Sequence, residues 1–477
     1  MSAATHDAGA MARKKRRHRN ERIAATALVL VVGACLFAFM RWNARDDAEF
    51  RKERMYIPGH TEITPEISLL REYLRIDTRA GKEIDGARFL IRALAQRGMT
   101  AELIESAPGR GNVYARIKGT RSGNGLLLLN HIDVVDPGAT EWEEPPFSGN
   151  VRQNMLYGRG AQDMKSIGIA QLLAFIDVAR EGRPPLHDLV FLATADEEQG
   201  GALGIQWLIE HRPDVLEGIQ YALNEGGLNE MVAEKMNYFG IEVGAKQFAA
   251  LTLEAPSAEH LQRARLALEP LFPGSDPDEI IPEVFRFLHD LAPTRIAYRD
   301  LLMDIRKTAA GGQFWRLPMS YREFAQDVAV MEAPRVENGR HLARIVLANI
   351  PGHDVEISIE RVAAILRPLG VRIASSEQRD PPAVLSSPDT PLFRLIADTA
   401  TAAYGSPSGT LLLFRSTSDS RFLRARGIVA YGILPFPTDF FQSQSIHGPN
   451  ERIRLDYYES GVALTRRIIQ AWAAGRA

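Results

Sequence analysis

Gly125-Leu126-Leu127-Leu128-Leu129-Asn130-His131-Ile132-Asp133 decides how this chain is read. The leucine run is too short for a helix and too uniformly apolar for a strand with one face in water, so it predicts a strand covered on both faces. It stops abruptly at an amide, a histidine and an acid. Leu189-Val190-Phe191-Leu192-Ala193 repeats the pattern and leads into Asp196-Glu197-Glu198. Between the two runs, residues 167–179 carry a helical period. Apolar strands alternating with helices make an α/β layer. In such layers the chemistry gathers at the carboxyl ends of the strands, where both polar clusters fall.

Working outward, Thr64-Pro65 predicts a helix start with Thr64 as N-cap, and a second helix is expected over residues 84–97. Thr390-Pro391 starts another helix, residues 427–434 read as a strand, and residues 455–473 close the chain as a helix. Between 237 and 385 Pro and charged residues become frequent and helical and strand-like stretches mix. The expected architecture is therefore an α/β catalytic domain, residues 58–236 and 386–477, with a mixed sheet covered by helices on both faces. An α+β lid of the kind used for dimerisation, residues 237–385, is inserted in it.

The chain has 477 residues, 45% hydrophobic and 24% charged, enough for two packed domains and too apolar for a disordered one. Residues 1–22 hold seven Lys and Arg against Asp7 and Glu21, a charge of +5; the whole chain sums to −2, so the rest carries −7. A basic tail on an acidic body argues against nucleic acid as a partner. Residues 23–40 contain no charge and end at Arg41-Trp42, which reads as a single membrane-spanning helix with the tail in the cytoplasm. Residues 43–57 then form a charged stalk, and the catalytic domain lies outside the cytoplasm. A cleaved signal peptide, and acylation at Cys35 in Val32-Gly33-Ala34-Cys35, are the competing readings of the same segment. With Cys35 the only cysteine, any metal site must be built from His and carboxylates.

Taken singly, the polar clusters say little. His131 and Asp133 stand two apart, the spacing that puts a carboxylate behind an imidazole on one strand face. Glu197-Glu198 places two acids after a buried strand, costly unless solvated, paired or bound to cations. Gly158-Arg159-Gly160-Ala161-Gln162-Asp163-Met164-Lys165 precedes a helix and lacks the Gly-x-x-x-x-Gly-Lys-Ser/Thr of a phosphate loop.

Taken in order, with Trp142, Phe147-Ser148-Gly149 and Thr194-Ala195-Asp196-Glu197-Glu198 in place, these stretches resemble the zinc-dependent aminoacylase and carboxypeptidase family. That family includes glutamate carboxypeptidase, aminoacylase, desuccinylases and N-acyl amino acid synthase/hydrolases. The resemblance implies two Zn2+ ions, with other divalent metals such as Co2+ as substitutes. It makes His131 a ligand of one ion, supported by Asp133, and Asp163 the carboxylate shared by both. Glu198 becomes a ligand of the second ion, Glu225, in Leu223-Asn224-Glu225-Gly226-Gly227, the next carboxylate ligand, and His447, in Ser445-Ile446-His447-Gly448-Pro449-Asn450-Glu451, the last ligand. Glu197 becomes the general base, taking a proton from water and returning it to the leaving nitrogen. Thr417-Ser418-Asp419-Ser420-Arg421 resembles a late family motif, so Arg421, with Asp419, would hold the free carboxylate of a small peptide or N-acyl amino acid.

The inserted region departs from the family. A Gly-His-Ser-Ser stretch, whose His reaches a neighbouring active site of a homodimer, is replaced by Leu253-Glu254-Ala255-Pro256-Ser257-Ala258-Glu259-His260. His260 is the substitute at hand, although a histidine on a surface helix is the simpler reading. The rival to hydrolysis is accordingly a catalytically impaired, metal-containing peptide-binding protein.

Overall fold

The computed structural model describes residues 62–232, 234–268, 277–413 and 416–476. The basic tail, the apolar segment 23–40 and the stalk lie outside these residues. Among the described residues no helix is long and apolar enough to cross a membrane.

Helix Pro65–Leu74 begins as its sequence predicts, with Thr64 Oγ1 accepting from the Ile67 amide, a cap worth about 1 kcal/mol. After helix Glu83–Ala95 come β1 (Glu102–Ala107), β2 (Arg110–Ile117) and β3 (Gly125–His131). A small antiparallel pair follows, β4 (Val151–Arg152) and β5 (Met155–Tyr157), then helix Lys165–Arg180 and β6 (Leu189–Thr194). β7 (Ile219–Asn224), β8 (Leu228–Val232) and β9 (Lys235–Ala245) complete the first half.

The inserted part contains β10 (Gln247–Ala255), β11 (Val328–Met331), β12 (Arg335–Glu337), β13 (Arg340–Asn349) and β14 (Arg372–Arg379). The chain then returns through helix Pro391–Tyr404 to β15 (Ser408–Leu413), β16 (Val429–Gly432), β17 (Arg452–Arg454) and helix Leu455–Ala473.

The main sheet runs β1-β2-β6-β3-β7-β16-β9-β15, with β8 beside β9. It is mixed: β3, β6, β7 and β16 are mutually parallel, whereas β2 runs against β6. Every side chain of β3 and β6 is buried, and the period of two explains how. Leu126, Leu128, Leu189, Phe191 and Ala193 pack on the face covered by helices Lys165–Arg180 and Leu455–Ala473. Leu127, Leu129, Val190 and Leu192 pack on the other, with Ile205, Leu208 and Leu423.

The inserted segment differs from its expected outline. β9, assigned from sequence to the lid, is a strand of the main sheet, so the second sheet starts at β10. That sheet, β11-β13-β10-β14, is covered by helices Ala258–Leu268 and Val355–Leu366. Residues between them, including Val284, Phe287, Leu288 and Leu291, pack instead against Leu411 and Leu412 at the edge of the main sheet. β9 hides because its Glu242 is fully buried in a strand. Arg424 Nη2 donates to Glu242 Oε2 at 2.6 Å, and both side chains are almost wholly excluded from water. Removing one partner of such a pair costs about 3–5 kcal/mol.

Candidate active site

The parallel strands β3, β6 and β7 end at the same edge of the sheet, and each delivers a polar residue there. β3 ends on His131 itself. β6 is followed by Asp196 in the left-handed region, φ 71°, which turns the chain into a 3-10 turn, Glu197–Gln199. Glu225 follows β7. Asp163 arrives from the loop before helix Lys165–Arg180, and His447 from the loop before β17.

These side chains converge. Asp163 lies between the two histidines, its Oδ1 3.0 Å from His131 Nε2 and its Oδ2 3.0 Å from His447 Nε2. His131 Nε2 is also 3.6 Å from Glu225 Oε1, and His447 Nε2 is 3.1 Å from Glu198 Oε2. The ligating atoms of His131, Asp163 and Glu198 all lie within 4.8 Å of one another, as do those of His131, Glu197 and Glu225. All five residues expected around the metals, and the expected base, are therefore in one cluster.

Its electrostatics are those of a cation site. Burial pushes the Glu197 carboxyl well above its usual range, and the nearby Glu225 charge adds to this. Burial likewise raises Glu198, and lifts Glu225 to about 8 with help from Asp163. Hydrogen bonds to Asp163 and Glu198 push His447 up to about 10. Burial would raise Asp163 too, but the bonds from His131 and His447 overcome it and hold it far below the carboxylate range. The clustered acids thus demand a compensating positive charge at this place. Divalent cations would supply the same charge at the same place, and Glu198 Oε1, buried without a hydrogen bond, has a lone pair to offer. A set of imidazole nitrogens and carboxylate oxygens without sulfur suits zinc or a similar divalent ion.

Asp133 is placed differently from expectation. The strand ends at His131, and the His131 Nδ1 hydrogen bond is to the Asp133 carbonyl, at 2.9 Å. The carboxylate stays 3.6 Å from that nitrogen. It accepts instead from the amides of Glu197, at 3.2 Å, and Glu198, at 3.0 Å. One residue thereby fixes the histidine and aims both glutamates.

Asp419, expected beside Arg421 at the substrate, is a correction. It is 1% exposed, accepts from Thr194 Oγ1 at 3.3 Å, and is pushed up to about 6 by burial. It sits beneath the cleft and does not line it. Arg421 does line it, together with Glu197, Glu198, Glu225, Thr417 and His447, around a volume of about 360 Å³. A second hollow of about 490 Å³, bordered by Arg79, Lys82, Val134 and Val135, meets the first at Glu198 and Gln199. His260 lies on helix Ala258–Leu268, hydrogen-bonded to Ser257 Oγ at 2.8 Å, and does not join the cluster.

Sequence reasoning passed over Glu451. It is fully buried, and its carboxylate accepts from Arg159 Nη1 at 2.7 Å and from the amides of Gly160, Gln162 and Asp163 at 3.0, 2.7 and 3.1 Å. Standing four residues after His447, it ties the His447 loop to the loop that presents Asp163. An acid at that spacing was the available signal; its partners, nearly three hundred residues away, were invisible. Glu451→Gln is expected to lower metal affinity about 10–100-fold, as loss of a residue supporting a ligand does. Metal content after dialysis, read beside a thermal melt, checks it.

The family model described as peptidase family M20/M25/M40 matches residues 127–471. Succinyl-diaminopimelate desuccinylase of Methylorubrum extorquens is 38% identical over 153 residues, 30% of this chain and 38% of that protein. Aminoacylase-1 of Sus scrofa is 32% identical over 166 residues, 34% of this chain and 41% of that protein. The chain is thus matched to about two fifths of the length of these curated relatives. In fold it is similar to the M20 family metallo-carboxypeptidase Sso-CP2 from Sulfolobus solfataricus, with a TM-score of 0.67 at 18% identity, covering 86% of this chain and 99% of that one.

Proposed function

The chain belongs to peptidase family M20/M25/M40, and from that premise we propose that it is a dinuclear zinc hydrolase cleaving the amide bond of a small peptide or N-acyl amino acid with a free carboxylate. The observation that carries this reading is Asp163, whose two oxygens face His131 and His447 at equal distance. A carboxylate so placed offers one oxygen to each side, as a residue shared by two cations would.

When bound, the ions polarise the scissile carbonyl and make water acidic enough to attack at neutral pH. His131, Asp163 and Glu225 would hold one, and His447, Asp163 and Glu198 the other. Glu197 takes the proton of the attacking water and delivers it to the departing nitrogen. Its amide is fixed by Asp133. Arg421, 9% exposed at its side chain, receives the substrate's carboxylate in the cleft.

The test is turnover of a panel of dipeptides and N-acyl amino acids by the purified chain. Hydrolysis is expected, lost on chelation and recovered with zinc. Two bound metals per chain with no turnover of any panel member would favour the second reading, a metal-containing binding protein. One observation supports that rival: His260, the histidine that stands in for the missing lid motif, is engaged with Ser257.

For residues 23–40 the proposal is a single membrane anchor that puts the hydrolase outside the cytoplasm. The full chain is then expected to stay with membranes through an alkaline carbonate wash and to be digested by protease added to spheroplasts. Release into the wash rejects the anchor.

A further inference from the structure

The main sheet and the inserted part are joined by two crossings: Lys246, between β9 and β10, and the return after β14, which begins at Asp380. The crossings are stitched together at Asp380. Its amide donates to the Phe248 carbonyl at 3.0 Å, and its Oδ2 accepts from the Phe248 amide at 3.3 Å. Gln247 Nε2 donates to its carbonyl at 3.2 Å.

The other carboxylate oxygen, Oδ1, leaves this joint and lies 3.2 Å from Nε of Arg421, on the short helix Ser420–Arg424 of the main layer. The side chains of Arg421 and Asp380 are 9% and 4% exposed. This is not the solvated surface pair whose contribution is small. On its far edge the guanidinium donates from Nη1 to Thr417 Oγ1 at 3.3 Å and stands 3.9 Å from Glu197 Oε1, while the Phe422 ring lies 4.3 Å from its centre. An arginine carries one N–H at Nε and four at its Nη atoms. The Nε N–H makes no hydrogen bond, so the Asp380 carboxylate acts on the fork through charge at close range, holding its Nε side toward the joint while Nη1 faces Thr417 and Glu197 at the cleft.

Resting on the reading of Arg421 as holder of the substrate's carboxylate, we infer that Asp380 is the positioning residue that aims Arg421 into the cleft. The joint of the inserted part and the recognition of a free carboxylate are then mechanically linked. Preference for substrates that carry a carboxylate next to the scissile amide depends on a residue that touches no substrate.

The experiment uses the full chain and two compounds: the best substrate of the panel above and the same compound with its carboxylate capped as the primary amide. Asp380→Asn keeps the size of the side chain and an acceptor for the Phe248 amide. It is expected to raise KM for the free-carboxylate compound about tenfold while kcat stays within about twofold, the pattern of lost binding rather than lost chemistry. The kcat/KM of the capped compound is expected to be unchanged, and Asp380→Glu to recover part of the loss. Equal loss on both compounds marks Asp380 as merely structural and overturns the inference, as does no loss on either. Arg421→Ala separates the two ideas. If it abolishes the preference for the free carboxylate while Asp380→Asn leaves it intact, only the inference about Asp380 fails. If Arg421→Ala leaves the preference intact, the reading of Arg421 fails and the inference falls with it.

Discussion

A Glu197→Gln protein is expected to keep both metal ions and to turn over on the order of a thousandfold more slowly than the parent, within the range that a positioned acid–base group contributes. Glutamine preserves the volume and one acceptor oxygen but cannot take a proton. Glu197 lines the cleft beside Arg421: its Oε1 is 3.9 Å from Arg421 Nη1, and its amide is pinned by Asp133. Steady-state kcat and metal content on the same preparation decide the matter. Parent-like turnover removes Glu197 from the base role. Loss of one metal along with activity would instead make it a ligand, an arrangement its proximity to His131 and Glu225 allows.

What the sequence disclosed, and what it withheld, follows one physical division. Strands β3 and β6 were legible because their runs over residues 126–129 and 189–193 are apolar and buried, and the helix starts at Thr64 and Thr390 because each threonine caps its helix through its own hydroxyl. Local chemistry was enough in each case. β9 was not legible, since Glu242 in its middle denies a core strand until Arg424, far along the chain, is seen to neutralise it.

The candidate site divides in the same way. His131, Asp163, Glu197, Glu198, Glu225 and His447 were recognisable from motifs, and the fold brings them together. The residues that hold them were either misread or passed over. Asp133 turns its carboxylate to two amides because the strand ends before it; Glu451 and Asp380 act on partners distant in sequence. Asp419 carries a motif position but faces Thr194 in the interior. Motif spacing locates side chains that meet a ligand. It says nothing of the carboxylates that aim them, because those contacts are tertiary.

The supporting acids bear on why one cluster can be so heavily charged. Asp133 and Glu451 each direct their oxygens to main-chain amides, and Glu451 also to Arg159, so neither carboxylate is aimed at the ligand positions. The carboxylates that line the cleft are those of Asp163, Glu197, Glu198 and Glu225. That concentration is costly in a buried place unless cations occupy it.

Asp163→Ala is accordingly expected to empty the site rather than merely slow it. Loss of a residue that only supports a ligand costs about 10–100-fold in metal affinity. Asp163 faces both histidines directly, so its removal is expected to exceed that loss for each ion and to bring turnover to background. His447→Ala provides the contrast, because it leaves His131, Asp163 and Glu225 in place: it is expected to keep close to one ion per chain where Asp163→Ala keeps fewer than one. Elemental analysis after gel filtration in metal-free buffer reads the difference, and circular dichroism of each variant shows whether the sheet has survived. Retention of two ions by a folded Asp163→Ala protein would mean that no single carboxylate is shared, and the dinuclear reading would then be wrong at its centre.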